Sequence, residues 1–420
     1  MIDINLLRDQ PDLVKTALKN RQKDSTLVDQ VLSADQKYRQ ILSQIETLRA
    51  EQNQLSSRIK GQPDPLILAQ AQKLKEKQKQ LQPKLDETAQ RLTDLLELIP
   101  NLPSDDTPVG IDDSNNQVIK TVGELPKFDF TPLDHIDLGQ NLDILDVKHA
   151  AKVSGSRFGY FKNQAAVLEM AVMFYAFQKL VKKGWRAMIP PAMIKKNSEA
   201  KMGYTSNKNL DNAYYSIPED DLIFISSSEH SVVPYHMDEI IDPNLLPLKY
   251  VNFSPCFRRE SGTYGKDTRG LFRVHFFNKV EMNVFCLPDT NLSDQLCQEM
   301  LANEEELMQE LGLPYQIVAA CTGDLPQPNR RMFDINCWFP GQKAYRETQS
   351  CSNCTDYQAR RLNIKTKING KNQFVHILNA TLITDRAVLA IIENFQQKDG
   401  SIKIPLCLQL LTGFNLISAP

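Results

Sequence analysis

The sequence predicts an α+β protein: an antiparallel β-sheet domain flanked by helices, preceded by an N-terminal antiparallel α-helical coiled-coil hairpin. Three observations predict it. Two long segments near the start carry apolar residues in a sustained three-four alternation. Residues 272 to 284 separate apolar from charged side chains by parity, as a half-buried strand does. From about Val118 onward, helical stretches such as 166–182 alternate with hairpin-connected strand-like runs such as 374–383. The expected boundaries are an N-terminal unit over 1–103 (a cap over 1–24, a hairpin arm over 25–100), a linker over 104–117 and the sheet domain over 118–420.

In the first helix of the arm the seam falls at Leu27, Val31, Ala34, Tyr38, Ile41, Ile45, Leu48, Gln52, Leu55 and Ile59. It returns at Ile67, Ala71, Leu74, Gln78, Leu81, Leu85, Thr88, Leu92, Leu95 and Ile99, after the turn sequence Gly61-Gln62-Pro63-Asp64-Pro65. Helices of about 33 residues span roughly 50 Å, far more than domain packing needs, so the pair reads as an arm reaching into solvent. Pro83 lacks a backbone donor and is expected to kink the second helix. Lys73, Lys75, Lys77, Lys79 and Lys84 stand in one stretch with only Glu76 opposing them. On most coiled coils this is a solvated face; beside a nucleotide site the same lysines become phosphate contacts. Ser104 to Gln117 is acidic, polar and turn-rich, hence the linker.

With 420 residues and 41% hydrophobic content the chain can bury a substantial core, and a net charge of −2 excludes a uniformly basic nucleic-acid binder but not a local patch. The opening Met-Ile-Asp-Ile-Asn has no signal-peptide pattern, and no apolar run has membrane-spanning length. A soluble cytoplasmic protein is expected, with its eight scattered cysteines reduced. Cys351 and Cys354 have the spacing of half a zinc site, but no second half stands at ligand spacing, which argues against zinc.

The segment 257–285 carries the most chemistry. On the return strand, odd positions give Arg273, His275, Phe277, Lys279 and Glu281, a charged and aromatic face. Even positions give Phe272, Val274, Phe276, Val280, Met282 and Val284, interrupted only by Asn278, a core face that Phe276 is expected to join. Arg258 and Glu260 share a face of the outgoing strand, and Gly262, Gly265 and Gly270 lie in the link. Guanidinium, carboxylate and aromatic groups on one rigid hairpin suit a polyphosphate and a planar base. A salt-bridged surface hairpin would not require so clean a parity.

These residues resemble motif 2 of the class II aminoacyl-tRNA synthetases in its seryl-tRNA synthetase form: Phe257-Arg258-Arg259-Glu260, Lys266-Asp267-Thr268-Arg269-Gly270, then Phe272-Arg273-Val274-His275 and Glu281. Other segments resemble the same family. Ile2-Asp3-Ile4-Asn5-Leu6-Leu7-Arg8 matches its opening, and Gly184-Trp185 through Pro190-Pro191 its motif 1. Ser227-Ser228-Glu229 stands where the family has Thr-x-Glu, which holds the substrate ammonium; Glu347-Thr348-Gln349-Ser350 matches the segment ahead of motif 3. Leu378-Asn379-Ala380-Thr381 with Arg386 matches motif 3, in a segment one residue shorter than in many bacterial members.

The resemblance implies a class II catalytic domain with a six- or seven-stranded antiparallel sheet, a coiled-coil arm that binds tRNA, and a homodimer in which one subunit's arm grips the long variable arm of a tRNA bound at the other. It implies activation of L-serine with ATP and transfer to tRNA(Ser), with tRNA(Sec) left open. Arg258, Arg273 and Arg386 would be catalytic. ATP would meet Arg258, Arg259, Glu260, Arg273, Phe277, Glu347, Thr348, Gln349, Ser350 and Arg386, with Mg2+ on Glu347 and Ser350. Serine would meet Ser227, Ser228, Glu229, Arg258, Glu281, Asn379 and Thr381, and Lys73, Lys75, Lys77, Lys79 and Lys84 would meet tRNA. Two other readings share these residues: an amino-acid:carrier-protein ligase, whose kind generally lacks the arm, and a coiled-coil interaction protein with a dead catalytic domain.

Overall fold

The computed structural model describes residues 1–57, 65–205, 210–260 and 270–419, which form two compact units, Met1–Leu102 and Pro103–Pro420. The N-terminal unit opens with two short helices, α1 (Ile4–Asp9) and α2 (Pro11–Asn20). Asp3 caps the first by accepting from the Asn5 amide, and Pro11 starts the second where a missing donor costs nothing. The arm follows as α3 (Leu27–Ser57) and α4 (Pro65–Glu97), packed along their lengths. Every seam position named above among the described residues is at least partly buried, while Lys73, Lys75, Lys77, Lys79 and Lys84 are exposed. Ile59 and Gly61 to Asp64 lie outside the described residues. The two seam glutamines meet: Gln78 Nε2 donates to Gln52 Oε1 at 3.0 Å. A glutamine layer in a largely apolar seam favours the one register that pairs it. Helix α4 runs through Pro83 without ending.

The cap is tied to the arm by a forked ion pair. Arg8 Nη2 and Nε lie 2.6 and 2.9 Å from the two carboxylate oxygens of Asp35, which is 1% exposed. The Arg8 hydrogen bond, with its charge and that of Arg39, holds the Asp35 carboxyl below its ordinary pKa in spite of burial. A depressed carboxylate adds stability above the unfolded pKa and loses it as pH falls through the lower folded value. Arg8→Ala is therefore expected to destabilise the cap by about 1–3 kcal/mol at neutral pH. Hydrogen exchange across α1 would show the effect, and it should fade in acid as Asp35 protonates.

In the second unit, eight strands among the described residues form one sheet. They are β1 (Gln117–Val122), β2 (Arg186–Met188), β3 (Leu248–Phe257), β4 (Phe276–Cys286), β5 (Tyr315–Ala319), β6 (Arg331–Phe339), β7 (Ala344–Asn353) and β8 (His376–Thr384). Their order is β1-β5-β6-β7-β8-β4-β3-β2, antiparallel throughout except for the β2–β3 pair. That exceeds the six or seven strands the resemblance implies, with the three-residue β2 pairing at one edge. Residues 104–117, read as a linker, are pinned to the sheet domain: Ser104 N donates to Arg330 O at 3.0 Å, and Asn116 Nδ2 to Asp324 Oδ2 at 2.8 Å.

Helices α5 (Asn163–Lys182), α6 (Thr290–Glu310) and α7 (Asp385–Asn394) cover one face. Val280, Met282 and Val284 of β4 point there, fully buried with Leu168, Val172, Met300 and Leu389. Lys279 and Glu281, of opposite parity, fall on the other face. The even-face reading fails at Phe276, which is 42% exposed. It sits at the mouth of the hairpin, paired with Phe257 at the end of β3, its ring centroid 5.4 Å from that of Phe257, beyond the reach of the helix layer. The return strand also begins later than expected, at Phe276, because residues 271–275 bend.

Candidate functional site

The bend before β4 is anchored from below. His135 Nδ1 lies 2.6 Å from Glu393 Oε1, and its Nε2 accepts from the Leu271 amide at 3.4 Å. Gly270, at φ +107°, turns the chain into this segment; a Cβ there would sit 3.0 Å from His135 Nε2. The bend aims Phe272 and Arg273 over the sheet. Arg386 stands at the junction of β8 and α7, where Thr384 caps the helix. Its Nε donates to Phe272 O at 3.1 Å, its Nη1 to Glu347 O at 2.8 Å, and its guanidinium carbon lies 4.5 Å from the Phe272 ring centroid.

Arg258 and Glu260 follow the end of β3, so strand alternation does not place them; Glu260 has a positive φ of 51°. They nonetheless converge. Arg273 Nη1 is 3.1 Å from Glu260 Oε2, and the Arg258 guanidinium carbon lies 5.0 Å from the Phe277 ring centroid. With Glu347, Ser350, Thr381 and Arg386 they line one cleft. Thr348 and Gln349 also border it, but their polar ends turn inward: Thr348 Oγ1 lies 3.1 Å from Ile335 O and 2.7 Å from Gln349 Oε1, while Gln349 Nε2 donates to Leu382 O at 3.1 Å. A register slip between β6 and β7 leaves Thr348 unopposed, and such a bulge re-aims its neighbours. Lys266 to Arg269, with Gly262 and Gly265, fall outside the described residues.

A second cleft adjoins the first, and Arg258, Glu260, Lys279, Ser350 and Thr381 border both. Its floor is built around Glu281, whose register partners are Thr381 on β8 and Asn252 on β3. Oε2 of Glu281 accepts from Ser227 Oγ and Ser228 Oγ at 2.6 Å each, lies 3.0 Å from Lys279 Nζ, and accepts from the Glu229 amide at 3.2 Å. Burial pushes this carboxyl up, but Lys279 and the two hydroxyls outweigh it, so its pKa falls below the ordinary value. Glu229, equally buried, goes the other way, raised by desolvation and by the charge of Glu281 against the opposing pull of His230. Tyr204 OH donates to both Glu229 oxygens, at 2.9 and 3.0 Å, and Gln358 Nε2 to Oε1 at 2.7 Å. Neighbouring carboxyls held at different protonation tendencies mark a functional site.

The structure brings Arg258, Glu260, Arg273, Phe277 and Glu281 of the hairpin together with Ser227, Glu229, Glu347, Ser350, Asn379, Thr381 and Arg386 around these two clefts, and Ser228 joins them through its bond to Glu281. Arg259 borders the second, with its guanidinium carbon 5.8 Å from the Tyr215 ring centroid. The arm lysines belong to the other unit. Sequence reading put Lys279 on the charged face without giving it a task. Tyr204 and Gln358 carried no local signal at all. Among the described residues no group of His, Cys, Asp and Glu could by itself cage a metal ion; Cys351 Sγ lies 3.6 Å from Cys297 Sγ, and Cys354 Sγ 3.4 Å from Asn329 Oδ1.

One cleft offers arginines and a phenylalanine ring, the other an acidic floor with hydroxyls. Such a pair fits a nucleotide triphosphate and a small ammonium-bearing molecule, meeting at Arg258. Comparison with known proteins places two family models along the chain. The family model described as the tRNA synthetase class II core domain (G, H, P, S and T) matches residues 214–395, and that of the seryl-tRNA synthetase N-terminal domain matches residues 1–103. The chain is 39% identical over 422 residues to the serine–tRNA ligase of Thermobifida fusca, covering 99% of each. A crystal structure of seryl-tRNA synthetase from Pyrococcus horikoshii complexed with ATP superposes with a TM-score of 0.93 at 37% identity, over all of both chains. The cytoplasmic serine–tRNA ligase of Naegleria fowleri, in complex with AMP, gives 0.90 at 31%, over 100% of this chain and 99% of that one. Among the described residues no helix is long and apolar enough to cross a membrane.

Proposed function

The chain belongs to the seryl-tRNA synthetase family, and from that premise we propose that its two clefts activate L-serine with ATP and pass the seryl group to the 3′ end of tRNA(Ser). The observation that carries this reading is the shared border: Arg258 lines both clefts, where the serine carboxylate and the α-phosphate would meet. The carboxylate oxygen attacks the α-phosphorus as the bond to the β-phosphate oxygen breaks, and pyrophosphate leaves. A ribose hydroxyl of the tRNA then attacks the carbonyl of the adenylate, and AMP leaves. No protein nucleophile is needed, so the protein's part is positioning and charge stabilisation.

In this reading Arg258 holds the α-phosphate and the substrate carboxylate, and Arg273 and Arg386 hold the outer phosphates. Phe277 stacks on the adenine, and Glu260 meets the base edge. Glu229 with Ser227 takes the ammonium group; Glu281 and Thr381, cross-strand neighbours, take the serine hydroxyl. Glu347 keeps its carboxylate at the cleft, 55% exposed and 3.5 Å from Arg386 Nη1. With the Ser350 hydroxyl nearby, that donor set suits Mg2+, which takes one or two carboxylates beside substrate phosphates. When bound, the ion offsets phosphate charge.

Val167, Met170, Phe174 and Val181 form an exposed apolar stripe along α5, and Ile189 after β2 is 77% exposed. A second copy of the chain would cover them, which supports a homodimer. On α4, Lys73, Lys77 and Lys84 fall on one flank of the seam and Lys75 and Lys79 on the other, where each can meet RNA phosphate. Replacing residues 25–99 by a short linker is expected to leave ATP–pyrophosphate exchange with serine intact and to cut charging of bulk tRNA by about 10²-fold or more, as loss of several phosphate contacts would. Charging by the armless chain at the full rate would refute the arm's role; exchange with another amino acid in place of serine would refute the specificity. Purified tRNA(Sec) is a second acceptor to try in the same assay.

A further inference from the structure

Beside the proposed ammonium subsite lies a buried assembly that none of the steps above uses. His230 is 4% exposed, and its Nδ1 makes a short hydrogen bond to Glu199, which is fully buried on the helix Lys196–Met202. The Tyr204 ring stacks on the imidazole, centroids 5.3 Å apart and planes within 13°, and Tyr214 packs edge-on at 5.8 Å. That stacking matters because the Tyr204 hydroxyl is the group that bridges both oxygens of Glu229. On the other side of the ring, Nε2 lies 3.3 Å from Ser226 Oγ, and the Ser226 carbonyl accepts from Arg258 Nε at 3.4 Å.

We infer that His230 is a positioning residue for the amino-acid subsite: gripped by Glu199, its ring is the shelf that aims the Tyr204 hydroxyl at Glu229. The inference rests on the reading of Glu229 as the ammonium ligand. Ser226, His230 and Glu199 also have the connectivity of a nucleophile relay. The electrostatics oppose that role. Burial pushes the imidazole down, but Glu199 on its helix, Glu281 on β4 and the adjacent Glu229 outweigh burial, so its pKa is raised. Charge attraction of that kind favours the protonated ring, whose Nε2 donates to the Ser226 oxygen. What the assembly supplies is the stacked geometry of Tyr204 on the ring.

The test is steady-state ATP–pyrophosphate exchange by the full chain. His230→Ala should raise KM for serine about tenfold and leave KM for ATP within about twofold, while His230→Gln, able to bond Glu199 and Ser226 together, should recover to within about threefold of wild type. Tyr204→Phe should reproduce the KM rise, and adding His230→Ala to it should raise KM little further, because both changes remove one interaction. An unchanged serine KM in His230→Ala, equal rises in both KM values, or full additivity with Tyr204→Phe would overturn the inference. Glu229→Gln separates the two levels: an unchanged serine KM there would overturn the subsite reading and the inference with it, whereas a large rise beside inert His230 and Tyr204 variants would overturn the inference alone. If His230→Ala does not fold, His230→Gln and Tyr204→Phe still decide, since a normal KM in Tyr204→Phe leaves the shelf nothing to aim.

Discussion

Glu281→Gln is expected to lower serine-dependent pyrophosphate exchange by about 10²–10⁴-fold, the range given by losing one or two charge-assisted hydrogen bonds in a buried site. The carboxylate has four partners on Oε2 alone, and an amide cannot accept from all of them and answer Lys279 as an anion. The same geometry predicts strong rejection of alanine as a substrate. A site built to receive a hydroxyl leaves its own buried groups unpaired when the hydroxyl is missing, so discrimination of roughly 10⁴ is attainable without editing. Glutamine is the variant to make because it keeps the volume. Alanine at this position would also leave Lys279, 3% exposed, without its counter-charge, and breaking a buried pair from one side costs about 3–5 kcal/mol. A circular dichroism melt near the wild-type value, combined with lost exchange, would locate the defect in chemistry. Near-normal exchange in Glu281→Gln would remove this residue from serine recognition.

The second large effect belongs to Arg258. Arg258→Ala is expected to cut exchange by about 10³-fold or more, comparable to removing other arginines that stabilise charge in phosphoryl transfer. Arg258→Lys should recover little, because a point charge replaces a planar fork that must serve a carboxylate and a phosphate together. The guanidinium now lies against the Phe277 ring and donates Nε to Ser226 O, so it is held from two directions before substrate arrives. Both KM for serine and KM for ATP should rise. A variant that changed only one of them would place Arg258 in one cleft and not at the junction of two.

Much of this was legible in the sequence, for local reasons. The three-four rhythm from Leu27 to Ile99 names the residues that line the seam, down to the two glutamines that pair across it, since helical periodicity is a property of the backbone alone. Parity on β4 separates Lys279 and Glu281 from Val280, Met282 and Val284 for the same reason. It misplaced Phe276, because parity states which way a side chain points and not whether anything lies there to cover it. Thr348 and Gln349 show a related limit. They border the nucleotide cleft in sequence and in space, yet a bulge turns their polar atoms back to Ile335 O and Leu382 O.

Local sequence carried the two-part architecture, the heptad arm and the charged face of the hairpin, and the resemblance of its motifs to a known family implied which arginines and carboxylates would serve a nucleotide-dependent ligase. Each is written in short-range periodicity or in the identity of neighbouring residues. Which of these groups meet is settled by the packing of distant segments. Sheet order places Glu281 beside Thr381, a hundred positions away in sequence. Burial then makes unpaired polar atoms costly, which joins Ser227, Ser228 and Lys279 to one carboxylate oxygen and Tyr204 and Gln358 to Glu229. Hydrogen bonds of that kind are closed by the packing of distant segments, and no local pattern encodes them.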